Sequence, residues 1–223
     1  MNSIKHQRIY NEIKDLNSYD YIDTLGYTSE DIENLLAGSE LKVTGLPKSD
    51  FIENQVSLPP FAAYFYYYIY SHKQIPTQEE FIHSYIKFYY PELLKIVPRV
   101  EMKNLRARLS RFYPSIIRDL HFYHLLKESN QFQAVLFNLK MDLEGKVDVF
   151  VKQNGRWYGL QLRTLTARSN YYYEKKKYRN PIETKAVLLD TPIDLSNAKN
   201  VKTKGESLKL YTTKHIQDVI NVI

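Results

Sequence analysis

The chain contains no cysteine among its 223 residues. That excludes disulfides, a thiolate nucleophile and any zinc site built on sulfur, and it suits a cytoplasmic protein. The opening Met-Asn-Ser-Ile-Lys-His lacks the apolar core of a signal peptide. The most apolar run, residues 58–70, is too short to span a bilayer and reads as a buried helix, so no membrane partner is expected. There is no glycine-rich phosphate loop, no setting for a serine nucleophile, no internal repeat and no low-complexity linker.

What is present divides unevenly. The net charge is +6, but residues 1–98 carry 8 Lys and Arg against 13 Asp and Glu, whereas residues 99–223 carry 23 against 12. A basic half joined to an acidic one is the pattern of a polyanion-binding module with an auxiliary domain. Two domains are therefore expected, 1–98 and 99–223, meeting at Pro98. The first reads as all helical. Ile9, Ile13 and Leu16 share one helical face, and Thr28 with Asp31 forms a capping box before Ile32, Leu35 and Leu36, with Gly38 as the stop. Pro59-Pro60 introduces Phe61, Tyr64, Phe65 and Tyr68 at helical spacing. This stripe reads as core, with Tyr66 and Tyr67 off it. Thr77 and Glu80 cap a further helix that Pro91 ends.

In the second half, Pro114 reads as the first residue of a helix carrying Ile116, Ile117, Leu120, Tyr123 and Leu126. The period then changes, and residues 132–139, 147–151, 158–164 and 186–189 read as strands. A basic helix is expected at 167–178, an edge strand at 208–211 and a last helix at 215–223. His121 and His124 lie one helical turn apart without a fitting carboxylate, which argues against zinc.

Two segments carry chemistry. Glu144-Gly-Lys-Val-Asp148-Val-Phe-Val is followed, across an Asn154-Gly155 turn, by Trp157-Tyr-Gly-Leu-Gln161-Leu-Arg163-Thr. Two strands joined by such a turn form a hairpin, and Gln161 and Arg163, two apart, share a face. A carboxylate, an amide and a guanidinium can thus meet at one site. Arg163 stays protonated at neutral pH, so its roles are to clamp a phosphate and to stabilise developing charge. The structural alternative is a buried ion pair of Asp148 with Arg163, satisfied by the amide. The second segment, Arg168-Ser-Asn-Tyr-Tyr-Tyr-Glu-Lys175-Lys176-Lys177-Tyr-Arg179, interleaves aromatics with five cations. That is the mixture used in nucleic-acid grooves, though an amphipathic helix with solvated lysines would share it. A second basic face, Lys103, Arg106, Arg108 and Arg111, reads as solvated.

Residues 114–189 resemble the PD-(D/E)XK nuclease superfamily, in the Mrr-like branch that carries Gln-x-Lys, with Arg163 where the family has lysine. The resemblance implies an α/β fold, a restriction-endonuclease-like mixed sheet flanked by helices, attached here to an N-terminal all-helical domain. It implies Mg²⁺ or Mn²⁺ held by Asp148, Gln161 and the Leu162 carbonyl, with Glu144, Glu128 or Asp119 as a further carboxylate, and catalysis by Asp148, Gln161 and Arg163. DNA, with duplex favoured, would be gripped by Arg168, Lys175, Lys176, Lys177 and Arg179. The expected activity is Mg²⁺-dependent endonucleolytic hydrolysis of DNA in a defence system or mobile element, by a homodimer or a subunit of a complex. Two alternatives stand beside it: a nuclease fold that binds nucleic acid without cutting, and a protein-interaction module.

Overall fold

The computed structural model describes residues 25–166 and 184–223. The chain packs as two compact units. One holds Glu33–Ile117 and Val201–Leu208, and the other holds Arg118–Asn200 and Lys209–Ile223 together with residues 25–32. Residues 99–117, grouped with the α/β half in the sequence reading, pack within the first of these. Among the described residues, no helix is long and apolar enough to cross a membrane.

The helices before residue 98 follow their capping signals. Helix α1 (Ser29–Gly38) begins where Thr28 and Asp31 exchange hydrogen bonds, and the donors on Thr28 hold the Asp31 carboxyl below its usual range. Helix α2 (Phe61–His72) starts after Pro60, and α3 (Gln78–Phe88) has a complete Thr77/Glu80 capping box. Helix α4 (Tyr90–Ile96) follows at once. Pro91 sits in its first turn, where a missing N–H costs nothing, so it opens a new helix as well as closing the old one. Tyr64, Phe65, Phe81, Tyr85 and Tyr89 are buried and meet mostly edge to face or tilted. The stripe is core, as expected. Tyr66, set off the stripe in the sequence reading, is buried with it because this helix is enclosed on more than one side.

Helix α5 (Met102–Glu128) is 27 residues long and contains Pro114 in its interior, so Pro114 does not start a helix as its position suggested. An interior proline lacks the N–H that would bond the carbonyl four residues back, here Ser110. That carbonyl instead accepts the buried Gln78 side-chain amide at 2.9 Å, while Gln78 also accepts from the Lys42 N–H at 2.9 Å and donates to the Lys42 carbonyl at 3.2 Å. One amide thus repairs the helix and anchors a loop. We expect Gln78→Ala to lower the unfolding free energy by about 2–4 kcal/mol, since it leaves buried polar groups unpaired. In a Pro114→Ala background, which restores the missing donor, the same change should cost less. Equal losses in urea titrations of both backgrounds would refute this account.

Arg108 and Arg111 are not solvated either. Both reach Glu53, and they donate to the carbonyls of Ile52 and Pro47 respectively.

The second unit is built on a four-stranded mixed sheet of β1 (Ala134–Leu136), β2 (Val149–Gln153), β3 (Arg156–Thr164) and β4 (Val187–Ile193), ordered β1-β2-β3-β4. The first two pairings are antiparallel and β3–β4 is parallel. Asn154 and Gly155 both have positive φ, 50° and 75°, the conformation a two-residue hairpin turn needs to match strand twist. Val149, Val151, Leu160, Thr191 and Ile193 alternate onto one buried face. Between β1 and β2 lies a short helix, α6 (Leu139–Leu143), capped by the Asn138 side chain. Its single turn was masked by the apolar pattern read as strand through residue 139. Strands β5 (Lys199–Lys202) and β6 (Ser207–Leu210) make a separate two-stranded sheet, and α7 (Thr213–Val222) ends the chain. The expected helices around Ile9, Ile13 and Leu16 and at 167–178 lie outside the described residues. The described part is thus a mixed α/β protein whose second unit carries a helix, three antiparallel strands and a fourth strand parallel to the third.

Candidate functional site

Strand β3 is longer than its neighbour. Its pairing with β2 begins at Val149 opposite Leu160, so residues 161–164 run on past the end of β2. Asp148 sits at that end. Its N–H donates to the Leu160 carbonyl at 2.9 Å, and its carboxylate accepts the Leu162 N–H at 2.6 Å. The side chain takes the place of the absent strand and fastens itself to the middle residue of Gln161-Leu162-Arg163. The N–H and C=O of one strand residue point to the same edge, so the Leu162 carbonyl is directed to the side where the Asp148 carboxylate lies.

On the other edge, β4 pairs in register with Gln161 opposite Asp190. Arg163 makes a two-pronged ion pair with Asp190, Nε to Oδ1 at 2.7 Å and the second prong at 2.9 Å. The two side chains are 19% and 28% exposed. The sequence reading put Asp148, Gln161 and Arg163 in one cluster and made Asp148 the ion-pair alternative for Arg163. The guanidinium is instead held by Asp190, a residue that sequence inspection passed over because parallel pairing across a crossover brings it in. We expect Asp190→Ala to destabilise the fold by about 2 kcal/mol: the 3–5 kcal/mol typical of a stranded buried charge, discounted for partial exposure. Asp190→Asn should cost less. A chemical-denaturation midpoint unchanged in Asp190→Ala would show the pair to be energetically idle.

Of the three carboxylates named from sequence to complete a metal site, Glu128 accepts from both the backbone N–H and the hydroxyl of Ser29, at 2.6 and 2.5 Å, and so caps α1. Glu144 is exposed. Asp119, on α5, is different: burial raises its carboxyl to about 7 despite the opposing effect of Arg118. Its neighbour is Asp142 of α6, raised to about 8 by burial first and by the Asp119 charge second. Two carboxyl groups crowded in a low-dielectric spot cannot both ionise at low cost, so the pair retains a proton near neutral pH. Tyr211, buried after β6, is pushed far up by burial and then by Asp119, and it also senses Asp148. Tyr211 is thus within electrostatic reach of both Asp119 and Asp148.

Asp142 was missed because the sequence reading ended a strand at residue 139 and assigned residues 140–146 to no element, whereas a single helical turn covers Leu139–Leu143. Gly145 explains how α6 meets β2 so closely: a Cβ there would lie 2.9 Å from the Met141 carbonyl oxygen. That leaves Asp142 only six positions ahead of Asp148 on a tight return.

His121 and His124 are buried in α5. Among the described residues, no three His, Cys, Asp or Glu side chains converge closely enough to hold a metal ion by themselves. The Asp148 carboxylate and the Leu162 backbone lie together at the end of β2, and one carboxylate with a backbone carbonyl is a donor set Mg²⁺ can use when waters and substrate phosphate complete its shell. Arg168, Lys175, Lys176, Lys177 and Arg179 lie outside the described residues. Comparisons of the chain with protein-family profiles, with curated proteins and with solved structures found no match.

Proposed function

We propose that this protein is a divalent-metal-dependent phosphodiesterase acting on DNA, an endonuclease of the PD-(D/E)XK kind. The single observation that carries the reading is the clasp between the Asp148 carboxylate and Leu162 at the point where β3 outruns β2. It presents a carboxylate beside the Gln-x-Arg segment, with the proton-sharing acids of α5 and α6 in the same unit. The order along the chain of a helix, a strand, a strand that follows Asp148, a strand bearing Gln161 and Arg163 and a further strand supports it, because the resemblance implies those elements in that order.

In this reading Asp148 and the Asp119–Asp142 pair supply negative charge, and the Gln161 amide and Leu162 carbonyl supply neutral oxygens. A bound Mg²⁺ would neutralise phosphodiester charge and make a water more acidic. The Asp119–Asp142 pair, able to exchange one proton near neutral pH, is suited to move a proton during hydrolysis. Arg163, tied to Asp190, orients that end of β3 and contributes positive potential rather than a mobile clamp. Arg168 and the lysines 175–177 would add salt-sensitive phosphate contacts.

A specific observation favours a second reading, a nuclease fold that binds nucleic acid without cutting. The family's lysine position holds an arginine, and that arginine is engaged with a carboxylate. Plasmid cleavage with Mg²⁺, Mn²⁺ or EDTA, run beside Asp148→Asn, separates the two. Metal-dependent nicking lost in the variant supports hydrolysis, whereas DNA binding without nicking under any metal supports the second reading.

A further inference from the structure

The face of the sheet that carries Gln161 and Arg163 also carries Phe150, Trp157 and Leu136, because the register sets Phe150 opposite Gly159 and Leu136, and Trp157 lies two residues from Gly159. Beside these side chains is an open pocket of about 320 Å³, lined also by Met141, Asn138 and Ala186. Its volume and its mostly aromatic and aliphatic wall, with the polar groups of Asn138, Thr184 and Lys185 among its lining residues, match pockets that take flat organic groups. Phe150 and Trp157 are both half-buried, so each keeps an accessible surface. Cations stand at the rim: Lys185 is exposed and lines the pocket, and the Lys152 ammonium lies 5.9 Å from the centre of the Trp157 ring. Phe150 is two residues along β2 from Asp148, a distance of roughly 7 Å along the strand.

We propose that this pocket receives an unpaired nucleobase of a nucleic-acid strand whose backbone runs past Asp148, with the base stacked on Trp157 and the flanking phosphates met by Lys152 and Lys185. The inference rests on the phosphodiesterase reading and narrows it: the substrate is a strand with an unstacked base beside the phosphate addressed by Asp148, as in a single strand, a loop or a frayed junction. Aromatic walls suit bases of any sequence, since every base has a π face, while the basic rim selects a polyanion over a neutral aromatic ligand. A fully paired duplex offers no such base without the cost of unstacking one.

The chain contains one tryptophan, so its fluorescence reports on this pocket alone. The full-length protein is titrated in EDTA with a short single-stranded oligothymidylate, with a blunt duplex and with free thymidine monophosphate. Saturable quenching is expected with the single strand and little with the duplex or the mononucleotide. By anisotropy of a labelled oligothymidylate, Trp157→Leu should bind on the order of tenfold more weakly, while Trp157→Phe, which keeps a π face, should retain most of the affinity. Circular dichroism of both variants confirms folding. Equal quenching by duplex or by mononucleotide, or undiminished binding by a folded Trp157→Leu, overturns the pocket. If Trp157→Leu does not fold, the three wild-type titrations decide by themselves. Quenching by the single strand with no cleavage under Mg²⁺ or Mn²⁺ keeps the pocket and removes the hydrolytic reading. Cleavage without quenching does the opposite.

Discussion

Asp148→Asn is expected to abolish Mg²⁺-dependent cleavage, by a factor of at least about 10² to 10³ of the kind seen when a single charge-stabilising group is removed from an active site. Its melting temperature should stay near that of wild type. The reason is local. The asparagine oxygen can still accept the Leu162 N–H that the carboxylate accepts at 2.6 Å, and the guanidinium of Arg163 keeps Asp190. Asp148→Ala should lose cleavage to the same degree and, in addition, about 1 kcal/mol of stability, because the Leu162 donor loses its partner. This pattern separates a chemical from a structural role. Cleavage that survives in a well-folded Asp148→Asn protein would remove Asp148 from the reaction, and a collapse of stability in Asp148→Asn would make it a scaffold residue.

The second large effect concerns pH. Asp119 and Asp142 are raised to about 7 and about 8, above the ordinary aspartate value near 3.8 that they regain on unfolding. Between roughly pH 4 and pH 8 the folded protein therefore holds protons that the unfolded chain releases, and stability falls as pH rises through that window. The contribution is fully present below the unfolded value and is lost above the folded ones. The loss should be on the order of 2–3 kcal/mol, allowing for the pair's partial access to water. Asp142→Asn removes one charge from the pair. It should flatten the pH dependence of the melting temperature and raise stability at pH 8.5 while changing little at pH 5. Mg²⁺ should stabilise wild type more at pH 8.5 than at pH 5, since a cation competes with the retained proton, and it should stabilise Asp142→Asn less. A melting temperature for wild type that is flat from pH 5 to 8.5 would sink the idea of a shared proton.

The local devices of this fold are legible in the sequence because their causes are local. The Thr28/Asp31 and Thr77/Glu80 caps act over three residues, and Asn154-Gly155 needs only its own backbone freedom to turn β2 into β3. The aromatic stripe of α2 follows from a 3.6-residue period. The candidate site was legible to the same extent: Asp148 and Gln161-Leu162-Arg163 stood out because a polar residue in an apolar strand is costly unless something uses it. Pro114 misled for the same reason that it is tolerated. Read alone, it begins a helix, and only the Gln78 amide, 36 residues earlier, makes it acceptable inside one.

The sequence by itself determined the helical caps, the hairpin turn, the alternation that buries one face of the sheet, and the excess of positive charge after residue 99. Only the tertiary structure decided which carboxylates face which groups. Asp190 reaches Arg163 because β4 lies parallel to β3 after a crossover. Glu128 is spent on Ser29. Asp119 and Asp142 are both raised by burial, and the Asp119 charge raises Asp142 further, because a long helix and a single turn bring them together. These are non-local choices: a carboxylate's charge state and partner depend on the burial and neighbours supplied by distant segments, and no spacing along the chain encodes them.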